Sequence, residues 1–448
     1  MSVYDRWHKS RPVHGDEPCR EHSKGRTKLY PAADHGKGDR WQVRWRDELG
    51  QQHKRNFPKR DGTDPGKCAT AFDAKTKTAL DDGTYINPGD ANITFQAFAE
   101  DWRKTQDHDI VRAARIERLL RRHVYPDPAT PGKTPTGAPA IGHRKLTELS
   151  KRPSLVQAWI SGMKLGTAGS KGQVITVASS IFIAAIDDGL ISRNPTRAQS
   201  VRRPKPERKK VLPWTLAQVE AMSSALRSRY SVLPYLGAGT GMRQAEIFGL
   251  AVTDLDLSGS HPVVYVRRQV RVVQGVPCFA PVKNRKEHAV PLATSLVPVL
   301  ADHIDRFPPV SVTLPWKVPD GDLVTFRLIV TRPDGRPWKG PGFDQSQWHP
   351  AQEKAGITPP RARGEKRKAA RDQGMHVLRH TAASVWLSKG ADIVAVAAWL
   401  GDTVETVHRT YAHLMPDADD RGRTAMDQFF KRIGHEGSAL DVPSDGAK

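Results

Sequence analysis

Trp41, Val43 and Trp45 alternate with Gln42, Arg44 and Arg46, a period of two that predicts a strand with one buried and one basic face. A turn at Glu48-Leu49-Gly50 leads to a second basic strand over residues 52–57, which carries Lys54 and Arg55. A short helix is expected over residues 69–80, ending before Gly83. The period then changes. Phe95, Phe98, Ala99 and Trp102 fall at helical spacing, as do Ile116, Leu119, Leu120 and Val124. Residues 126–142 are rich in Pro and Gly and read as a long loop, and helices resume over residues 154–163 and 172–187. The longest apolar stretch, residues 174–186, is interrupted by Thr176, Ser179 and Ser180. It falls short of the roughly 20 residues that a membrane span needs, so a buried core helix is expected and no membrane association.

Residues 201–210 hold two prolines and six basic residues, the pattern of an extended interdomain linker. Thr215 precedes a helical pattern and suits an N-cap. Residues 263–292 contain β-branched runs broken at Gln274-Gly275 and at 284–287, which predicts a three-stranded antiparallel sheet. Helical patterns return over residues 376–430. Residues 1–37 are rich in His, Gly and charge without a period and read as a flexible basic arm, and residues 434–448 as a polar tail.

A chain of 448 residues with 38 % hydrophobic content suits two or three domains at about 100–200 residues each. Lys and Arg number 70 against 48 acidic residues, a formal charge of +22. An imbalance of that size points to a polyanion, because Lys and Arg neutralise phosphates and release counterions. Arg44, Arg46, Lys54 and Arg55 on the paired strands suit insertion into a DNA groove. Arg112, Arg115, Arg118, Arg121 and Arg122 surround a helix with Glu117 as the one acid among them, which favours phosphate contact over an ordinary solvated face. Arg202, Arg203 and Lys205 in the linker, and the basic segment 361–371, are further candidates for lying against DNA. The three cysteines, Cys19, Cys68 and Cys278, are few, odd in number and far apart, which argues against a disulfide scaffold and for a reducing, cytoplasmic setting. Cys19 and His22 lie near His8, His14 and His35, but no second Cys pair has ligand spacing. They read as solvated tail residues, with no metal expected.

Three clusters carry candidate chemistry. Arg243 follows Thr240-Gly241-Met242 and is expected in the first turn of a helix, where a cation opposes the helix dipole and calls for an anion in front of it. His376 and Arg379 are three apart, so on a helix they project to one side, and the pair suits a phosphoryl group. Tyr411 follows Trp399-Leu400-Gly401-Asp402. A phenol is a weak nucleophile unless cations surround its target and a proton path lies nearby.

The order Arg243, a β-hairpin with Lys283, His376-x-x-Arg379, Leu400-Gly401 and Tyr411 resembles the tyrosine recombinase (phage-type integrase) family across residues 212–431. The resemblance implies a multidomain fold, mainly α with small β-sheets. Its parts would be an arm-type DNA-binding sheet domain at 38–90, a helical core-binding domain at 91–200, a linker at 201–211 and an α+β catalytic domain at 212–433. It implies a site-specific recombinase that integrates or excises a mobile element such as a prophage. Tyr411 would attack the scissile phosphate to give a 3′-phosphotyrosine, and Arg243 and Arg379 would clamp that phosphate. Lys283, or failing it Lys286, would protonate the leaving 5′-oxygen. His376 would act as acid or base and Glu246 would buttress the site. The chemistry requires no cofactor. The implied partners are double-stranded attachment sites, a homo-tetramer on DNA, and accessory DNA-bending or directionality proteins.

One position departs from the family pattern. Asp402 stands where the family usually has His or Trp, and a carboxylate only accepts hydrogen bonds. It is expected to orient Arg379, His376 or a backbone group. His408 and His413 read as structural histidines. Residues 426–433, with adjacent Phe429 and Phe430, suit packing on a neighbouring protomer or on their own domain. Two other functions share parts of this pattern: a type IB topoisomerase-like enzyme, and a DNA-binding regulator of excision that has lost catalysis.

Overall fold

The first strand of the chain is β1 (Ser2–Asp5), and it pairs antiparallel with β2 (Trp41–Arg46), which pairs in turn with β3 (Gln52–Phe57). The computed structural model describes every residue except 1, 25, 48–49, 83–84, 86, 88, 206–211, 283–285, 361–373, 415–417 and 431–448. It divides into two units, residues 1–208 and 209–448, with the boundary inside the basic stretch expected to be a linker. The β1 pairing corrects the expectation of a flexible arm over residues 1–37. That segment is tied down at its start by β1 and further on by backbone bonds such as Lys9 N–H to Tyr30 O (2.8 Å) and Ala32 N–H to Trp7 O (2.8 Å).

Alternation along β2 holds from Val43 to Arg46, whereas Trp41 is half-buried and Gln42 is buried with its amide donating to Asn56 Oδ1 (2.8 Å). Val43 and Trp45 are buried with Phe57 and with Ala69 of α1 (Ala69–Asp81), while Arg44 and Arg46 are exposed. Arg44 lies opposite Lys54 in the register. Arg55 falls on the alternate face, with its guanidinium 5.1 Å from the ring centroids of Phe57 and of Phe72 on α1.

The rest of the first unit is helical: α2 (Phe95–Thr105), α3 (Ile110–His123), α4 (Leu146–Lys151), α5 (Pro153–Gly162) and α6 (Ala168–Asp187). Thr94, Asp109 and Thr167 cap α2, α3 and α6 by accepting backbone N–H groups, which satisfies donors that a helix start leaves unpaired. One core joins Phe95, Ile116, Leu120, Trp159, Ile181 and Phe182. Although α6 is long and apolar enough to cross a membrane, Val174, Ile175, Ala178, Ile181, Phe182 and Ala185 on it are buried in this core.

The second unit begins with α7 (Leu216–Ala225), whose Thr215 cap accepts from Gln218 N–H while the Gln218 side chain accepts from Thr215 N–H. Next come α8 (Val232–Thr240) and the short α9 (Gln244–Ile247). The β-rich stretch is not one three-stranded sheet over residues 263–292. β4 (Leu255–Asp256), β5 (Val263–Val266) and β8 (His288–Pro291) form one sheet, and β6 (Arg268–Val273) with β7 (Val276–Pro281) forms a separate hairpin. The sequence break at Gln274-Gly275 is the hairpin turn, where both residues take positive φ (49° and 85°). After α10 (Val297–Arg306) comes a hairpin that the residue pattern did not announce, β9 (Val310–Pro315) with β10 (Leu323–Leu328). The helices α11 (Gly340–Phe343), α12 (His349–Lys354), α13 (His376–Ser388), α14 (Ile393–Leu400), α15 (Val404–Tyr411) and α16 (Ala418–Phe430) complete the unit.

Two glycines set how these helices meet. A Cβ at Gly237 on α8 would lie 2.6 Å from Leu378 Cδ1, so the absence of a side chain lets α13 pack directly on α8. Gly241 ends α8 at φ 64°, and a Cβ there would meet Leu400 Cδ2 at 2.7 Å. This close approach of α8, α13 and α14 places Arg379 beside the end of α8.

Candidate active site

Arg243 is the N-cap of α9 rather than a residue of its first turn. Its backbone N–H donates to Glu246 Oε2 (2.8 Å) and its Nη1 to Glu246 Oε1 (2.8 Å). Glu246 is fully buried and thereby fixes both the start of the helix and the guanidinium. Arg379, in the first turn of α13, is 3 % exposed, and its Nη1 donates to the Gly241 carbonyl (3.0 Å). Burial, followed by the neighbouring Arg243 charge, pulls the Arg379 pKa down, while Glu246 and Asp402 oppose the shift.

A single oxygen joins the two arginines. Asp402 Oδ2 accepts from Arg379 Nη2 (2.8 Å) and from Arg243 Nη2 (3.1 Å). The carboxylate follows Gly401, which takes φ 57° at the end of α14. A Cβ there would strike the His288 ring, at 2.5 Å from Cε1. Asp402 therefore orients Arg379 and also Arg243, a position that a residue able only to accept can fill between two donors.

Tyr411 ends α15 and is 5 % exposed, with its ring in a cluster with Leu387, Val396, Leu400 and Val407. Burial pushes its phenol pKa up to about 12; Arg379 works against that shift and Asp402 adds to it. Its hydroxyl lies 2.6 Å from His380 Nδ1. Sequence reasoning gave His380 no role. The available signal was its place one residue after Arg379, which turns it to a neighbouring face of α13. His376 is exposed, with its ring edge-on to that of His380 at 4.6 Å between centroids. The three-residue spacing thus does not set imidazole and guanidinium on one equivalent surface, since Arg379 is buried against α8.

His288 on β8 is a second residue that the reading passed over. It packs on Gly401, and burial holds its pKa down, with Arg243 and Arg379 adding to the effect. Lys283 and the basic segment 361–371 lie outside the described residues. Lys286, the alternative to Lys283, is exposed, and its carbonyl lies 3.4 Å from His288 Nδ1. His408 and His413 are exposed, which corrects their reading as structural histidines.

In the first unit, Arg44, Arg46 and Lys54 are exposed, and Arg44 Nε donates to Gln42 Oε1 (2.6 Å). Arg115, Arg118 and Arg122 are all exposed along α3, with Arg115 bonded to Gln173 (2.5 Å). Glu117 instead takes Arg121 and Arg103. Arg202, Arg203 and Lys205 are all exposed, and the Arg203 guanidinium donates to the carbonyl (3.0 Å) and hydroxyl (2.8 Å) of Thr196.

Tyr411 thus lies within electrostatic reach of Arg379 and of the carboxylate that Arg379 shares with Arg243. Residues 214–417 match the model of the phage integrase family. The putative prophage phiRv2 integrase of Mycobacterium tuberculosis is 27 % identical over 216 residues, 47 % of this chain and 52 % of that relative. The integrase of Mycobacterium phage FRAT1 is 25 % identical over 207 residues, 45 % of this chain and 57 % of that relative. The chain spans about half the length of the curated relatives it matches. A Tn1549 transposon integrase solved with circular intermediate DNA shares the fold, with a TM-score of 0.56 at 17 % identity over 75 % of this chain and 99 % of the other. Over its second unit the chain is thus similar to phage integrases and to proteins named tyrosine recombinases.

Proposed function

We propose that this protein is a site-specific DNA recombinase that integrates or excises a mobile element by cutting and rejoining DNA through Tyr411. The observation that carries the reading is the convergence of Arg243 and Arg379 on one anionic oxygen, with Tyr411 buried nearby. Each guanidinium has five N–H donors, and the side-chain contacts named above use two on each. Donors therefore remain for the non-bridging oxygens of a phosphodiester. That cationic pair stabilises the charge that builds up as the phenol oxygen bonds to phosphorus and the bond to the 5′-oxygen breaks.

A phenol with its pKa raised by burial needs a base at the moment of attack, and His380 Nδ1 is in hydrogen-bond reach of the proton. Asp402 holds the arginines apart from each other's charge until the phosphate arrives. Glu246 buttresses Arg243. Protonation of the leaving 5′-oxygen, which gives the free 5′-hydroxyl, falls to Lys283 by family likeness, with His376 at the exposed start of α13 as a further acid or base. The phosphotyrosine retains the bond energy, so a 5′-hydroxyl from a second strand reverses the step.

In this reading residues 38–90 bind arm-type sites through Arg44, Arg46 and Lys54, residues 91–200 bind the core site through Arg115, Arg118 and Arg122, and residues 201–211 link them to the catalytic domain. Recombination needs four protomers on two duplexes. The exposed Met426, Phe429 and Phe430 of α16 support contact with a neighbouring protomer, since Phe429 is 73 % exposed. The test is a nicked attachment-site substrate that traps the covalent intermediate. Wild type should give a protein–DNA adduct that is absent in Tyr411→Phe, and no adduct from wild type would refute the reading.

A further inference from the structure

His8, Cys19, His22 and His35, which look scattered in sequence, meet in the fold. One ligand atom from each lies within 4.8 Å of all the others. Cys19 Sγ is 3.4 Å from His22 Nδ1 and 3.2 Å from His35 Nε2, and those two nitrogens are 3.3 Å apart. His8 and Cys19 are 6 % and 4 % exposed. The earlier reading of Cys19 and His22 as solvated tail residues is thereby corrected.

Hydrogen bonding alone does not account for this arrangement. A neutral imidazole nitrogen is either a donor or an acceptor, and a thiol has one proton. The triangle of Cys19, His22 and His35 can therefore satisfy two of its three edges at most. His8 Nε2 is then left over, buried and without a hydrogen-bond partner among the described residues. A central cation satisfies all four atoms at once. Tetrahedral zinc, with bonds of about 2.0–2.1 Å to nitrogen and 2.3 Å to sulfur, sets neighbouring donors roughly 3.3–3.6 Å apart, and the three measured separations fall at or just below that range.

The surroundings are those of a ligand shell. His8 Nδ1 bonds Asp5 Oδ2 (2.8 Å), which leaves Nε2 to face the cluster. Asp5 is gripped in turn by Arg40 through Nε (3.1 Å) and Nη2 (2.7 Å) and accepts from Trp7 N–H (3.1 Å). A carboxylate on the far nitrogen of a metal-bound histidine fixes its tautomer and orientation. Asp5 belongs to β1, so this contact ties the cluster to the sheet.

We propose that His8, Cys19, His22 and His35 bind one structural zinc ion that folds residues 6–40 onto the N-terminal sheet. Backbone bonds and ion pairs cross this segment, but its described residues form no apolar core of their own. None of the apolar clusters among the described residues includes a residue from 6–40. Small units without a core commonly draw their folding free energy from a metal. The segment also places Arg6 and Asp34 along the same cleft as Arg44, Lys54 and Asn56, so the metal shapes the edge of the basic face.

The test uses the full-length chain, purified without a polyhistidine tag, with metal content read by elemental mass spectrometry. One zinc per chain is expected. Cys19→Ser and His35→Gln should abolish it, and His14→Ala, at a neighbouring exposed histidine, should retain it. Cobalt substitution should give the visible absorption of a tetrahedral site together with a sulfur-to-cobalt band that Cys19→Ser removes. Should either variant fail to fold, chelation of the wild type decides: amide exchange in residues 6–40 should rise and return to its protected level on adding zinc sulfate. Protein that carries no zinc and takes none up on titration, or that loses zinc without any change in exchange of residues 6–40, would overturn the proposal.

Discussion

Arg243 and Arg379 in the second unit carry the same charge as Arg44 and Lys54 in the first, in opposite surroundings. Arg379 is 3 % exposed and fixed by a carbonyl and a carboxylate, and Arg243 is held by two carboxylates. Arg44 and Lys54 stand opposite each other on an exposed sheet face. A buried guanidinium has lost its water and cannot move, so its worth lies in where it points. An exposed cation keeps its water and acts mainly by releasing counterions, so its worth lies in how many neighbours share its face. The first arrangement suits a reaction at one phosphorus atom, and the second suits a grip on many phosphates.

The contrast can be broken most sharply at Arg243. Arg243→Ala should lower cleavage of a core-site substrate by about 10²–10³-fold, the usual cost of one transition-state donor. DNA retention in a gel-shift assay should change much less, and equal losses would make Arg243 an ordinary DNA contact. Asp402→Asn comes next. It removes the anion shared by two guanidiniums, so urea denaturation should show a loss of about 1–3 kcal/mol. An unchanged urea midpoint would mean that Gly241 O and Glu246 suffice to hold the pair. The smallest effect belongs to the exposed face. Arg44→Ala with Lys54→Ala should reduce the salt dependence of arm-site binding by about two phosphate contacts and spare core-site cleavage. A matching drop in core-site cleavage would remove the distinction between the two regions.

The two regions also differ in how far they could be read from residues alone. The strand at 41–46 follows from alternation, and α6 and α7 follow from helical spacing and from the Thr215 cap, because these depend on neighbours within a few positions. Arg243, Arg379 and Tyr411 could be picked out by order and spacing. The bond between His380 and Tyr411 spans 31 positions, and that between Arg243 and Asp402 spans 159. No local period encodes either. The split of residues 255–291 into two sheets escaped for the same reason: β5 pairs across an intervening hairpin with β8. The cysteine and histidines of the N-terminal segment lacked the paired spacing of familiar metal motifs, and only the fold of residues 1–40 brings them together.

By itself the sequence determined the strong basic charge, the helical and alternating segments, and the order and spacing of Arg243, His376, Arg379 and Tyr411. Each of these is a property of composition or of near neighbours. Tertiary structure alone decided that Asp402 sits between two arginines, that His380 faces Tyr411, and that His8, Cys19, His22 and His35 converge. Those outcomes depend on helices packing where Gly237 and Gly241 allow close approach, and on β1 closing onto β2. Contacts of that kind are set by how whole segments bury their surfaces, which no stretch of the chain specifies alone.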